Sequence, residues 1–408
     1  MSNIQKTIID SIEKGNPSFE EIGYYSQAIN NAFYAVFTWT VPSIINGFGA
    51  KWSMCLGALI NLLFIIQFLL EKVWIVYVFC GLSGFGSALL GAAQGNYLTL
   101  NSSESTMNKH TAIFAIISSF NMIVGNTIVM WGFSSGGEIS KSTRTLVLTM
   151  LAGVGTVGLI VLVFLPNHKK DEKDKDINKT SALETFLDAV KLFTTKNMLL
   201  LSVIFLYEGI ATGFINGIYS SALGFTQNLH NPKQLVGLSG IFVGIGEIFA
   251  GSMITIFDKK VVALGRNVMA VTACSVHSIS FILIFINLPN NSPFANTTDA
   301  AIIESNTVLA MFCSFLLGLG DCVFVNLIFS TLGTMYPENS ASAFSIFQFF
   351  VGISSVINFV AAEHVGIYYQ LITLFILGIV SILCNLKVDT TGKQNELMEN
   401  EIKKEVSQ

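Results

Sequence analysis

The sequence predicts an all-α membrane protein, a bundle of about eleven transmembrane helices arranged in two halves. Its 408 residues are 52% hydrophobic and only 12% charged, whereas a soluble globular chain carries about 25% charged residues. Eleven apolar runs each approach the roughly 20 residues that a helix needs to cross a bilayer. One long polar segment divides them into a group of five and a group of six.

The apolar runs follow one another with short polar turns, as expected for a chain that crosses a membrane repeatedly. They cover residues 24–48, 52–70, 73–98, 111–133, 143–165, 198–223, 235–257, 267–288, 307–332, 341–362 and 366–386. Residues 1–23 are polar and lack the basic stretch and apolar core of a cleavable signal peptide. The domain prediction is a polar segment 1–23, a first half 24–165, a linker 166–196, a second half 197–386 and a tail 387–408.

The linker opens with the charged string PNHKKDEKDKD and then carries apolar residues at helical spacing from Leu183 to Phe193. This spacing predicts a short amphipathic helix. Such a helix either lies at the membrane surface or packs on the protein, and the sequence favours neither arrangement.

The basic residues indicate the orientation in the membrane. When the loops are assigned alternately to two sides, 16 of the 22 Lys and Arg residues fall on the side of the linker and tail. Because cytoplasmic loops are enriched in basic residues, we expect that side and the C-terminus to be cytoplasmic. An odd number of spans places the N-terminus outside. The sequon at Asn296 lies in a long outer loop and predicts a glycosylation site.

Two short turns on the predicted cytoplasmic side resemble each other. The first contains Gly49 and Lys51, and the second runs from Asp258 to Gly265 and Arg266. Internal repeats of this kind are typical of secondary transporters, in which two units move against each other around a central site. We therefore expect the two turns that contain these five residues to act as cytoplasmic gates.

Specific strings refine this prediction. Residues 94–102 (QGNYLTLNS), 237–252 and 312–321 (FCSFLLGLGD) resemble signatures of the UNC-93-like family of the major facilitator superfamily. Within that family the pattern is most similar to the branch of major facilitator domain-containing protein eleven. The resemblance covers residues 23–386 and implies a major facilitator-type bundle.

The chain departs from the family pattern at its start. The resemblance implies twelve spans with both termini in the cytoplasm, but the run that begins at Tyr24 resembles the second span. We therefore expect the family fold minus its first helix. In this fold the first, fourth, seventh and tenth helices line a central cavity, so one wall would be incomplete. Either the sequence is partial or the protein has lost part of the cavity.

Three acids lie in the middle of apolar runs: Glu208, Glu247 and Asp321. No Lys or Arg lies mid-span to pair with them, and a charge in that position is costly, so we expect these acids to be largely protonated. Through the resemblance, Glu208 and Asp321 fall on cavity-lining helices and Glu247 falls beside them. They form either a proton or cation relay or a set of structural hydrogen bonds between helices.

Uncharged polar residues and glycines form two further patterns. Cavity candidates with amide side chains are Gln94, Asn96, Asn216 and Asn326. Most such groups bond neighbouring helices, and a few that face a cavity could bind a polar solute. Glycines at four-residue spacing, such as Gly209, Gly213 and Gly217, predict close helix packing.

Two functions remain open at this stage. The resemblance implies an accessory protein that regulates or escorts a membrane-protein partner such as an ion channel. The mid-span acids instead favour a proton- or cation-coupled transporter of a small solute. Both functions place the protein in a lipid bilayer, and neither requires a cofactor. We find no enzyme motif, no metal-ligand spacing and no basic face for nucleic acid.

Overall fold

The computed structural model describes residues 2–13, 15–19, 22–132, 140–166, 182–294, 296–362 and 364–388. The first half contains α1 (Ser2–Glu13), α2 (Ile22–Phe37), α3 (Val41–Phe48), α4 (Ala50–Ile66), α5 (Val73–Leu100), α6 (Glu104–Gly132) and α7 (Lys141–Phe164). The connecting helix is α8 (Ala182–Phe193). The second half contains α9 (Lys196–Gly213), α10 (Ser220–Phe225), α11 (Pro232–Ile256), α12 (Asp258–Leu264), α13 (Arg266–Asn287), α14 (Thr307–Met335), α15 (Ser340–Ala362) and α16 (Ile367–Lys387).

Ten helical segments in the described part of the chain are long and apolar enough to cross a membrane. The prediction of about eleven transmembrane helices is confirmed, but the first apolar run is not one continuous helix. That run forms two helices, α2 and α3, separated by a turn at residues 38–40. Pro42 lies in the first turn of α3, where its missing N–H costs nothing, whereas inside a continuous helix it would remove a hydrogen bond.

The two halves meet mainly where α6 packs on α11 and where α15 packs on α2 and α5. Small residues make these contacts close. A Cβ atom added at Gly240 would collide with Asn126 of α6, and one added at Gly95 would collide with Phe344 of α15. Within the second half, Gly209, Gly213 and Gly217 all face α15. The spaced glycines therefore pack helices, as small residues do in membrane proteins.

The two turns that look alike in sequence also share a backbone conformation. Gly49 has φ 81° and ψ 155°, and Gly265 has φ 79° and ψ 166°. Each glycine ends one helix and begins the next. A positive φ is accessible to glycine at little cost. We call the end of the bundle that carries both turns the basic end, and the other end the opposite end.

Helix α1 lies beside α6 and α7, near the opposite end of the bundle. Ile8 and Ile9 are fully buried in a cluster with side chains of α2 and α4–α7. Arg144 of α7 donates to the Ser11 carbonyl at 3.0 Å and forms an ion pair with Glu71. Twelve residues of helix span about 18 Å, well short of the roughly 30 Å of a bilayer core.

The second half shows what a full helix contributes at the corresponding position. There α9 packs against α15 and α16, which are 56% and 33% buried along their most apolar stretches. Their counterparts by order in the first half, α6 and α7, are only 17% and 11% buried. In the described part of the first half, the side beside α6 and α7 is therefore covered only near the opposite end, by α1. We call this side the open wall.

Helix α8 lies within the polar linker and packs on the bundle. Phe193 contacts the ring of Trp39 in the first half and that of Phe350 on α15, with centroids 6.3 and 5.8 Å apart. On its other side Leu187 is 45% exposed. The helix therefore touches both halves at the basic end while keeping an apolar face outward. The charged string that precedes α8 lies outside the described residues.

Candidate functional site

Two of the three mid-span acids meet at a single hydroxyl group. Thr212 Oγ1 lies 3.1 Å from Glu208 Oε1 and 3.2 Å from Asp321 Oδ1. Glu208 and Thr212 are one turn apart on α9, whereas Asp321 comes from α14. Glu208 is 1% exposed, and its Oε2 atom has no hydrogen-bond partner among the described residues.

This geometry constrains the protons. A threonine hydroxyl has one proton to donate, so it donates to one carboxyl oxygen and accepts from the other group. Both hydrogen bonds form together only if Glu208 or Asp321 carries a proton. The arrangement is thus suited to hold a proton between α9 and α14.

The third acid joins the same cluster from α11. Glu247 on α11 interacts electrostatically with Asp321, and α11 packs against Ser119 of α6 at Gly244. Sequence reasoning placed Glu247 beside the cavity, and the structure places it within reach of the other acids. Because Ser119 belongs to the first half, α11 lies at the boundary between the halves. We call Glu208, Glu247, Asp321 and Thr212 the acid cluster.

A buried aromatic pair lies next to the acid cluster. Tyr207 Oη and His277 Nδ1 are 2.7 Å apart, and His277 Nε2 is 3.2 Å from the Leu317 carbonyl oxygen. A carbonyl only accepts, so Nε2 carries a proton. In the neutral imidazole Nδ1 then accepts from the tyrosine hydroxyl, and both ring nitrogens have a partner. The pair fixes α9, α13 and α14 around Glu208.

The backbone of α9 changes form just beyond Thr212. Residues Phe214–Tyr219 form a π-helical segment before α10 begins. π-Helical turns are rare and are frequent at functional sites. Asn216 is half-buried within this segment, and α1 contacts the segment from the first half. The irregular stretch therefore connects the acid cluster with the open wall.

The polar residues at the basic end form a separate group. Asn96 Nδ2 donates to Ser340 Oγ at 2.8 Å, which links α5 with the start of α15. Asn326 Nδ2 donates to the Asn108 carbonyl at 3.1 Å, and Asn108 Nδ2 donates to Asp258 Oδ1 at 3.1 Å. These bonds connect the two halves. Asn96 and Asn326 are thus brought to the half-to-half contact rather than to the acid cluster.

The remaining predicted residues are dispersed. Gln94 is half-buried on α5. Lys51 Nζ lies 5.0 Å from the centroid of the Trp52 ring, and Arg266 Nη1 donates to Met335 Sδ at 3.4 Å. Asn296 is exposed at the opposite end, where its Oδ1 accepts from Gln227 at 3.2 Å.

Sequence reasoning missed Thr212 and Tyr207. Hydroxyl groups are common in membrane helices, and their spacing gives no signal. Only the one-turn separation of Glu208 and Thr212 could have indicated a shared hydrogen bond. Within the described residues, no three His, Cys, Asp or Glu side chains could hold a metal ion together.

Comparison with known proteins identifies relatives of this chain in sequence and in fold. A family model described as "Ion channel regulatory protein UNC-93" matches residues 18–386. The UNC93-like protein MFSD11 of Xenopus tropicalis is 32% identical over 396 residues, which are 92% of this chain and 88% of the relative. MFSD11 of Xenopus laevis is 32% identical over 397 residues, with the same coverage.

Solved structures show the same fold at low identity. The major facilitator proton:xylose symporter XylE superposes with a TM-score of 0.68 at 13% identity, covering 95% of this chain and 92% of XylE. The fucose:proton symporter FucP of E. coli gives 0.62 at 12%, covering 95% and 97%. The human organic anion transporter MFSD10 gives 0.62 at 10%, covering 94% of each chain. The major facilitator-type fold and the resemblance in sequence are confirmed.

Proposed function

Since this chain belongs to the UNC-93 family of ion channel regulatory proteins, we propose that it is a regulatory or trafficking accessory of another membrane protein, such as an ion channel. The chain is an integral multi-pass membrane protein with a transporter fold. In this role it acts by binding a partner within the bilayer rather than by catalysis.

One structural observation carries the proposal. The open wall of the first half is covered only near the opposite end, by the short helix α1. The faces of α6 and α7 beside it are therefore exposed along most of their length, and a helix of another membrane protein can pack on such a surface.

The experiment uses the full chain with a C-terminal affinity tag, expressed in cells that contain it naturally. The proposal predicts that one membrane protein co-purifies at near-equal amount in mild detergent. Recovery of the tagged chain alone, under conditions that preserve known membrane complexes, would contradict it. A variant of the lipid-facing residue Val157, which is 61% exposed, serves as a control for detergent effects.

The acid cluster favours a second candidate, a proton-coupled transporter of a small solute. Glu208 and Asp321 share the Thr212 hydroxyl, and Glu247 interacts electrostatically with both from a third helix. Proton relays in membrane transporters are built from such groups. XylE and FucP, which share the fold, are named as proton symporters.

Flux measurements separate the two candidates. Purified protein in liposomes would take up solute under an imposed pH gradient if it were a proton-coupled transporter. Glu208→Gln and Asp321→Asn would then abolish the pH dependence. A flux that is equal in empty liposomes and unaffected by both variants would leave the accessory role as the function.

We also propose an orientation. The basic end carries the turns with Lys51 and Arg266, and 16 of the 22 basic residues belong to that side. By the positive-inside rule, the basic end and the C-terminus face the cytoplasm. Asn296 then faces the lumen or the cell exterior, where it is available for glycosylation.

A further inference from the structure

An apolar groove lies on the first half at the basic end, between α3, α4 and α7. It encloses about 410 Å³. Most of its lining is aliphatic or aromatic: Ile44, Phe48, Leu56, Leu59, Leu159 and Val163. None of the lining residues is acidic or basic. The groove is separate from the acid cluster, which lies on the second half.

The groove opens toward the region that hydrocarbon occupies in a bilayer. Leu56, Leu59 and Val163 are each about two-fifths exposed, and Phe48 is 69% exposed. In a membrane these side chains contact lipid tails rather than water. An acyl chain therefore suits the apolar part of the groove.

One polar group in the groove needs a partner. Ser53 is 1% exposed, and it lines the groove together with the apolar residues. Its Oγ atom has no hydrogen-bond partner in the part of the chain that the structure describes. A buried hydroxyl is normally paired, because leaving it unpaired in an apolar place is costly. A bound molecule with an acceptor oxygen would satisfy it once the Ser53 side chain turns toward the groove.

A positive charge stands beside the groove. Lys51 precedes Trp52, which lines the groove, and its Nζ atom lies 5.0 Å from the centroid of the Trp52 ring. The turn at Gly49, with φ 81°, sets the start of α4 and thus the position of Lys51 at the basic end. Lysine ammonium groups at that depth attract anionic lipid headgroups.

Together these features match the parts of one glycerophospholipid: an apolar tail, an acceptor oxygen and an anionic headgroup. We propose that the groove between α3, α4 and α7 binds one anionic phospholipid from the leaflet at the basic end. Its acyl chain lies between α4 and α7, an ester or glycerol oxygen accepts from Ser53, and its phosphate faces Lys51. This proposal does not depend on whether the protein is an accessory or a transporter.

The experiment measures lipid retention by native mass spectrometry. Full-length protein in mild detergent is incubated with equal amounts of phosphatidylglycerol and phosphatidylcholine. We expect one retained lipid per chain, with about a fivefold preference for phosphatidylglycerol from one lysine near the headgroup. Lys51→Gln should remove the preference without removing retention.

Two matched pairs of variants test the groove itself. Leu159→Trp fills it and should lower retention about tenfold, whereas Val157→Trp on the exposed face of α7 should not. Ser53→Ala should lower retention about fivefold, whereas Ser118→Ala, whose hydroxyl bonds its own helix backbone, should not. Equal retention in Leu159→Trp and Val157→Trp would mean annular lipid only and would overturn the proposal. So would a preference that survives Lys51→Gln.

Discussion

Glu208 and Asp321, which are far apart in sequence and lie on different helices, share the hydroxyl group of Thr212. This shared hydroxyl ties α9 to α14 at the level of the π-helical segment. With the Tyr207–His277 pair beside it, the acid cluster is held from three helices.

Replacing Thr212 tests this arrangement. Thr212→Val keeps the shape of the side chain but leaves two carboxyl groups without their common partner, so we expect a loss of about 1–3 kcal/mol of stability. Thr212→Ser keeps the hydroxyl and should be close to the parent protein. Thermal unfolding in detergent measures both variants. Equal melting temperatures for Thr212→Val and Thr212→Ser would show that the shared hydroxyl contributes nothing.

The glycine contacts predict that the effect of a glycine substitution on stability depends strongly on its position. A side chain at Gly209 would overlap Ser354 and Val351 of α15, whereas Gly158 of α7 has open space around it. We expect Gly209→Leu to destabilise the protein by about 1–3 kcal/mol or more through overpacking. Gly158→Leu should be neutral or slightly stabilising, because leucine favours helix over glycine. Size-exclusion profiles and melting temperatures compare the two, and similar behaviour would argue against the packing of α9 on α15.

The ion pair at the opposite end predicts a dependence on pH. Partial burial raises the pKa of Glu71, but hydrogen bonds and charge from Arg144 and Lys141 outweigh it and hold that pKa below its usual value of 4.5. A lowered folded-state pKa stabilises the fold above the usual value, and this contribution is lost as the pH falls through the folded-state pKa.

We therefore expect Glu71→Gln to lower the melting temperature at pH 7 and to have a smaller effect as the pH falls below about 4. Lys141 is a matched control, since its side chain is 75% exposed and an exposed pair is worth little. Lys141→Gln should change stability much less than Arg144→Gln. A Glu71→Gln effect that is the same at pH 7 and at low pH would contradict this account.

The proposed orientation predicts where the chain is modified. Asn296→Gln and Thr298→Ala should each remove the same endoglycosidase-sensitive mass, because both destroy one sequon. An epitope tag at the C-terminus should become accessible to antibody only after the membrane is permeabilised. A tag that is accessible on intact cells would reverse the orientation.

Much of the fold follows from hydrophobic length alone. Ten apolar runs form helices of spanning length, because a bilayer leaves the backbone few other ways to satisfy its hydrogen bonds. The similar turns at Gly49 and Gly265 could also be recognised in the sequence, because glycine is the residue that reaches their positive φ at low cost. The break before Pro42 was missed because hydrophobicity continues across it.

Tertiary contacts could not be predicted in the same way. Helix α1 contains only a few isoleucines in a polar segment. Its burial depends on the open wall beside α6 and α7, which the sequence of α1 does not reveal. The meeting of Glu208, Asp321 and Glu247 depends on how three helices are rotated against one another, which spacing within one helix does not determine. Asn96 and Asn326 were grouped with these acids because amide side chains look alike in sequence, whichever end of the bundle they occupy.

The most direct test of the account is the composition of the complex that forms around the full-length protein in its native membrane. Quantitative mass spectrometry after mild purification should find one membrane protein at near-equal amount with the tagged chain. That protein should be absent from a matched purification of an unrelated major facilitator protein. Recovery of the chain as a lone monomer would contradict an accessory role and would leave the acid cluster, and with it proton-coupled transport, as the better account.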